Sequence, residues 1–268
     1  EYSLDQDPDR SQLDVLAVID DNFSGDSISQ ELRLDSTVGD NIDYMLGLFY
    51  YEQTTKRGDN KPFVIIGDDF INIANQEQAL PVPAQQIAAS GDSLVGNGKQ
   101  DTETIALFSQ ATWHIGDIWH VTGCLRYSDE EKESDLFSQT NSTAPGILGN
   151  TFLDSVSTPI DTTLDRSSDN VDWLIRAAMD VGDDSMVFAS AATGTKSGGF
   201  NSVNGTAEQR VLDDEETLNY ERGVKSTLLD QRLRINATVF YSEIDDFQSQ
   251  QQLETGIGTF VSNDSEVE

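Results

Sequence analysis

Two histidines and a few cations hold most of the chemistry open to this sequence. His114 and His120 flank Gly116-Asp117-Ile118. If that tripeptide is a tight turn, the imidazoles stand opposite each other on neighbouring antiparallel strands, with Cβ atoms about 5 Å apart. Such a pair could share a metal ion. We expect instead two polar residues on the wet face of a sheet, and no metal. Cys124 falls on the same face and is the only cysteine, which excludes an intrachain disulfide and a thiolate zinc cluster. It is expected to be buried and inert. Arg126, Arg176, Lys225 and Arg234 alternate with aliphatic residues, so they face away from the apolar rows. There they could grip an anionic ligand, although charge balance against acids such as Asp172, Asp180 and Glu221 is the simpler role. Lys196 closes its strand, and alternation does not place it. Gly198, Gly199, Phe200 and Asn201 form the loop segment chosen for ligand contact, because function concentrates in loops. No nucleophile elbow, HExxH, phosphate loop or dinucleotide fingerprint is present, so neither an enzyme nor a cofactor is expected.

Composition narrows the partners. The 268 residues hold 16 Lys and Arg against 48 Asp and Glu, a formal net charge of −32. That balance argues against nucleic acid, since little is available to neutralise phosphates. It is the balance of a salt-adapted surface, and a saline habitat would account for it. No run of about 18 apolar residues exists, which excludes a membrane-spanning helix but not a membrane-spanning barrel. The opening EYSLDQDPDR lacks the basic and apolar regions of a signal peptide. The chain reads as a piece of a longer protein.

The elements that must position these residues are strands. From Leu233 onward, Leu233, Ile235, Ala237, Val239 and Tyr241 alternate with Arg234, Asn236, Thr238 and Ser242. A period of two is a strand with different environments on its faces. With the preceding run from residue 216 it makes a long hairpin closed at 229–232. Similar strands are expected at 27–36, 41–57, 103–115, 119–129, 170–181 and 185–196, with an apolar patch at 13–19 and a further strand starting near 257. Polar loops are expected at 58–100, with a helical turn near 75–80, and at 133–168 and 197–215.

Connection lengths alternate. Short turns at 38–41, 116–118, 182–184 and 229–232 are each followed by a long connection. Short periplasmic turns and long extracellular loops are the asymmetry of an outer-membrane barrel. A sandwich or propeller has no reason to send every long loop to one end, and no repeat is present. Trp113, Trp119 and Tyr44 sit near the short turns, with Tyr50, Tyr127, Tyr220 and Tyr241 toward the long loops, as two interfacial belts would require. The expected fold is all-β, an antiparallel up-and-down meander forming part of a transmembrane β-barrel.

SQELRL at 29–34, FSQATW at 108–113, GCLRYSDEEKE at 123–133, FASAATGTKSGGFN at 188–201 and the stretch 216–248 resemble, in order and spacing, TonB-dependent outer-membrane receptors. The resemblance implies a 22-stranded barrel with a plugged lumen, of which residues 1–268 supply about eight to ten strands. The plug domain and C-terminal strands would lie outside this chain. It further implies TonB-energised uptake of a scarce nutrient, foremost an iron–siderophore complex. The partners would be outer-membrane lipid and lipopolysaccharide, and TonB through an N-terminal region. The location would be the outer membrane of a Gram-negative bacterium. Three residues depart from the family pattern: Arg222 on the apolar row, Ala191 where tyrosine is common, and Cys124 where glycine is common. A passive pore or autotransporter-type barrel, or a soluble acidic β-adhesin, are the competing readings.

Overall fold

A computed structural model describes residues 2–6, 16–58, 62–70, 72, 89–141, 159–201, 208–252 and 259–267. The helical turn expected near 75–80 lies outside them. The described residues form one antiparallel sheet of eleven strands. In chain order they are β1 (Tyr2–Gln6), β2 (Leu16–Val38), β3 (Ile42–Arg57), β4 (Pro62–Ile66), β5 (Ser93–Ile115), β6 (Trp119–Asn141), β7 (Ile160–Asp180), β8 (Ser185–Lys196), β9 (Glu215–Leu228), β10 (Leu233–Gln252) and β11 (Thr259–Val267). Neighbours in sequence are neighbours in the sheet, with one exception: β4 pairs with β2 and β5 above the end of β3. Because β3 and β4 run the same way between the same two strands, β4 prolongs β3 past an interruption at Gly58 (φ 69°).

Register turns sequence alternation into two faces. Leu32, Leu48, Leu107, Tyr127 and Val171 form one cross-strand row, each directly paired with the next. The row below it holds Leu34, Leu46, Ser109, Leu125 and Trp173. Leu32, Leu107 and Val239 are 73%, 60% and 64% exposed, so this surface packs on nothing among the described residues. Apart from Trp173, its tyrosines and tryptophans lie in two belts: Tyr44, Trp113 and Trp119 near the short turns, and Tyr50, Tyr127 and the Tyr220–Tyr241 pair toward the other border. Ile42 to Tyr50 on β3 is about 26 Å along the strand at ~3.3 Å per residue. Tilted as barrel strands are, that covers about 20 Å of bilayer. Arg222 does stand on this face, between Ala189 and Val239, close enough to the outer belt for its guanidinium to snorkel. Ala191 lies beside Tyr220 on the same face.

The strands overshoot the apolar band. β5 and β6 each run 23 residues, against about 10 for a membrane crossing. Residues 93–100, 133–141 and 160–168, read from sequence as loop, are paired strand. The reason is solvent. Beyond the bilayer both faces meet water, so Asp129, Glu131 and Glu133 on one face alternate with Glu130 and Lys132 on the other, and no apolar period survives. Pairing continues because the backbone ladder does not require apolar side chains.

The turns differ in strain. Gly116 (φ 62°) adopts the left-handed conformation without cost at the β5–β6 turn. The β9–β10 turn places Leu229, Asp230 and Gln231 there, at φ 56°, 53° and 66°. Each costs about 1 kcal/mol, so this turn depends on the long hairpin it closes.

Leu107→Arg places a cation in the middle of the apolar row and should cost about 2–4 kcal/mol of folding stability in a bilayer. Gln110→Arg, on the opposite face, should cost little. Denaturant titration in lipid vesicles checks both, and equal losses would deny that the Leu107 face meets lipid.

Candidate functional site

The face opposite the apolar rows holds the sequence-chosen residues, spread over its whole height. Nearest the short turns, His114 and His120 are paired residues of β5 and β6. Their Nδ1 atoms are 2.7 Å apart, with rings edge-on at 75°. His114 Nε2 lies 2.9 Å from Asp43 Oδ2, and His120 Nε2 lies 3.0 Å from Asp180 Oδ2. Arg234 and Lys225 line a wide concavity nearby, with Asp117, Asp183 and Asp184 on its rim.

Higher up, the cations rest on aromatic rings. The Arg126 guanidinium lies 5.4 Å from the Phe49 ring centre and 5.8 Å from that of Phe108, while its Nε donates to Ser128 Oγ at 3.0 Å. Phe108 lies flat over Gly47, where any Cβ would intrude on the ring. Arg176 stacks on Phe188 at 4.6 Å and Lys225 shares that ring at 5.7 Å. Each such contact is worth about 0.5–2 kcal/mol. Arg126 is registered opposite Asp172, yet Asp172 accepts a hydrogen bond from Thr195 Oγ1 at 3.1 Å. Cys124 sits between these levels, its thiol 3.5 Å from Gln110 Oε1.

The outermost level was not anticipated from the sequence. Lys132 Nζ pairs with Glu130 Oε1 at 2.8 Å and donates to Ser197 Oγ at 2.5 Å and to the Gly198 carbonyl at 2.7 Å. Arg166 Nη2 pairs with Asp214 Oδ1 at 2.8 Å, and that same oxygen accepts the Gly198 amide at 2.7 Å. These ion pairs are largely shielded from water and clamp the start of the β8–β9 connection onto β6 and β7. Lys132 and Arg166, both rare cations in an acidic chain, lie past the ends that alternation gives their strands, Asp129 and Asn170.

The Gly198–Asn201 segment therefore divides by role. Gly198 is buried against Arg166 and the Leu212 carbonyl. Asn201, 7% exposed, acts as a latch: its Nδ2 donates to the carbonyls of Gln209 (2.6 Å) and Val261 (2.8 Å), and its Oδ1 accepts the Val261 amide at 2.9 Å. Phe200 bridges to Val211 and lines an open cavity of about 220 Å³ with Phe23, Arg57, Phe137 and a floor of Gly96 and Gly98. Arg57 lies 5.3 Å over the Phe23 ring. Arg210, beside the Phe200–Val211 bridge, is 5% exposed with no hydrogen-bond partner for Nη1 among the described residues, and burial lowers its pKa. Thus Phe200 joins Arg57 at the outer end, whereas Arg126, Arg176 and Arg234 stand at successively lower levels and do not converge with it. Lys196 pairs with Glu215 at 3.1 Å. The amide of Gln248, 2.8 Å from Glu215, is the largest influence holding that carboxyl below its ordinary pKa, with Lys196 adding to it.

The family described as TonB dependent receptor-like, beta-barrel matches residues 2–267. The pesticin receptor of Yersinia pestis is 27% identical over 222 residues, covering 82% of this chain and 27% of that protein. The ferric yersiniabactin uptake receptor FyuA from Yersinia pestis superposes with a TM-score of 0.63 at 20% identity, over 87% of this chain and 30% of its own. The siderophore receptor PiuA from Acinetobacter baumannii gives 0.60 at 17% identity, over 94% and 36%. At these identities the two structures establish the fold. The chain spans about a third or less of the length of the first relatives it matches.

Asp214→Asn should weaken the Arg166 pair and the Gly198 contact together, at a local cost of about 1–3 kcal/mol. Hydrogen exchange at 197–201 should then quicken about tenfold, while β9 and β10 stay protected. Glu215 gives a pH test. Its folded pKa is depressed, so its contribution is present at neutral pH and is lost as pH falls through the carboxylate range. Glu215→Gln at neutral pH should reproduce the acid-loosened exchange of the Gln248 amide.

Proposed function

The chain belongs to the TonB-dependent receptor β-barrel family, and we propose that it forms part of the wall of an outer-membrane receptor that imports a ferric siderophore complex with energy delivered by TonB. The family is one of receptors, and the domain resides in the outer membrane of Gram-negative bacteria. Transport without covalent chemistry is the activity we assign. The sheet's first and last strands, β1 and β11, have no partner on their outer sides among the described residues. A spanning sheet must close on itself, so the reading requires further strands to complete the cylinder.

The observation that favours a ferric chelate is the outer-end cavity. Phe23, Phe137 and Phe200 offer aromatic faces, Arg57 offers a cation stacked on Phe23, and Gly96 and Gly98 leave its floor without side chains. Aromatic rings and a guanidinium in one open recess suit a planar, anionic chelate better than a neutral sugar. The buried, incompletely bonded Arg210 beside Phe200 adds a second cation on that side. Arg126 and Arg176, resting on rings lower on the wall, would lie along the path of an entering anion.

Expression of the full-length gene in an iron-starved strain lacking its own receptors should restore growth on at least one ferric siderophore, and only when TonB is present. Arg57→Ala or Phe200→Ala should weaken binding of that complex about tenfold, the worth of one desolvated cation–π contact. Rescue that persists without TonB would point to a passive pore. Failure with every ferric chelate would defeat the substrate assignment.

A further inference from the structure

Near the short turns, Asp43, His114, His120 and Asp180 form a hydrogen-bonded chain across β3, β5, β6 and β7, on the face opposite the apolar rows. The backbone fixes both ends: the His114 amide donates to the Asn41 carbonyl and the Asp180 amide to the Ile118 carbonyl, each at 2.8 Å. Carboxylates only accept at neutral pH, so each histidine Nε2 must carry the proton it offers to Asp43 or Asp180. In the neutral tautomer this leaves both Nδ1 atoms as bare lone pairs, yet they face each other at 2.7 Å. Two lone pairs at that distance repel unless a positive centre lies between them.

We propose that this centre is a divalent transition-metal ion, of the copper, nickel or zinc class, with His114 Nδ1 and His120 Nδ1 as its protein ligands. Imidazole nitrogen suits these ions. A carboxylate on the far nitrogen of each ligating histidine is the arrangement that fixes tautomer and ring orientation in metal sites, and Asp43 and Asp180 supply it on both sides. The ring centres stand 5.0 Å apart while the two Nδ1 atoms are at 2.7 Å, so the nitrogens are the nearest parts of the pair. Two Nδ1 atoms at about 2.0–2.1 Å from one ion stand somewhat farther apart than 2.7 Å, a separation within reach of small χ rotations. The two carboxylates offset the ion's charge, and the half-exposed rings leave room for water to complete the coordination. The nearby Arg176 guanidinium rests on the Phe188 ring.

Calorimetric titration of the intact outer-membrane protein in detergent with Cu²⁺, Ni²⁺ or Zn²⁺ tests the site, with Mg²⁺ as the control for general carboxylate binding. One equivalent of at least one transition ion should bind, with Mg²⁺ failing to compete. His114→Gln and His120→Gln should each weaken binding tenfold or more, and Asp43→Asn about tenfold through loss of orientation. With copper, the electron paramagnetic spectrum should carry the coupling of two nitrogens in the parent protein and lose it in either histidine variant. Heat-modifiable gel mobility confirms that each variant is folded. Unchanged affinity in both histidine variants, or no binding at 100 μM metal, would overturn the metal and leave a shared proton between the rings.

Discussion

A sheet in lipid must satisfy every backbone N–H and C=O within the protein, because no water is present to do so. This requirement fixes the rest of the structure. It enforces unbroken antiparallel pairing from β2 through β10, and pairing in register forces side chains to alternate between two faces. A slip of one residue would carry Arg126, Arg176 and both histidines into lipid and bring Leu107, Leu125 and Val171 to the wet face. Few soluble sheets specify register so strongly. In this wall both faces are committed, one to hydrocarbon and the other to water, and neither tolerates the other's residues.

Above the bilayer that requirement relaxes, and the structure changes character. β7 and β8 are paired only from Leu174–Ala192 down to Asp180–Met186. Beyond that point β7 continues beside β6 alone among the described residues, which leaves its other edge open. Side chains take over where the ladder ends. Thr193 Oγ1 accepts the Trp173 amide at 2.9 Å, and Thr195 reaches Asp172. Asp161, Asp165, Arg166 and Asp169 along this stretch make it a poor template for another strand, as charged edges generally are.

What the sequence revealed followed the same division. Where one face meets lipid, Leu233, Ile235 and Val239 alternate visibly, and the hairpin, the meander and the opposed histidines could be read from spacing alone. Where both faces meet water, DEEKESDLFSQTN at 129–141 has no apolar period, so alternation ends β6 near Asp129 and starts β7 near Asn170, short of Lys132 and Arg166. Alternation puts Arg126 and Arg176 opposite the apolar rows, as the register does, but does not reveal their partners: charge balance against acids of the wet face is the reading from sequence, whereas Phe49, Phe108 and Phe188 from neighbouring strands hold the guanidiniums. Cross-strand partners depend on register, and composition is silent about it. The segment at 198–201 is read from sequence as a ligand contact; in the structure Gly198 packs against Arg166, the Gly199 carbonyl accepts the Leu212 amide, and Asn201 serves a latch.

That latch shows how the outer end stays ordered without a continuous ladder. A primary amide presents one acceptor and two donors, so it can imitate a peptide group. Asn201 uses this to accept the Val261 amide and donate to the Val261 carbonyl, pairing with β11 as a strand residue would. Asn263 does the same from the other side, accepting the Asp213 amide and donating to the carbonyls of Asp213 and Asp246, each near 3 Å. Together with Glu215 on the Gln248 amide, these side chains stitch the β8–β9 connection to β10 and β11. Phe200, one residue from the latch, is thereby held over the Arg57 cavity by contacts that are individually modest. The wall is thus held by its backbone ladder within the bilayer and by side-chain hydrogen bonds above it.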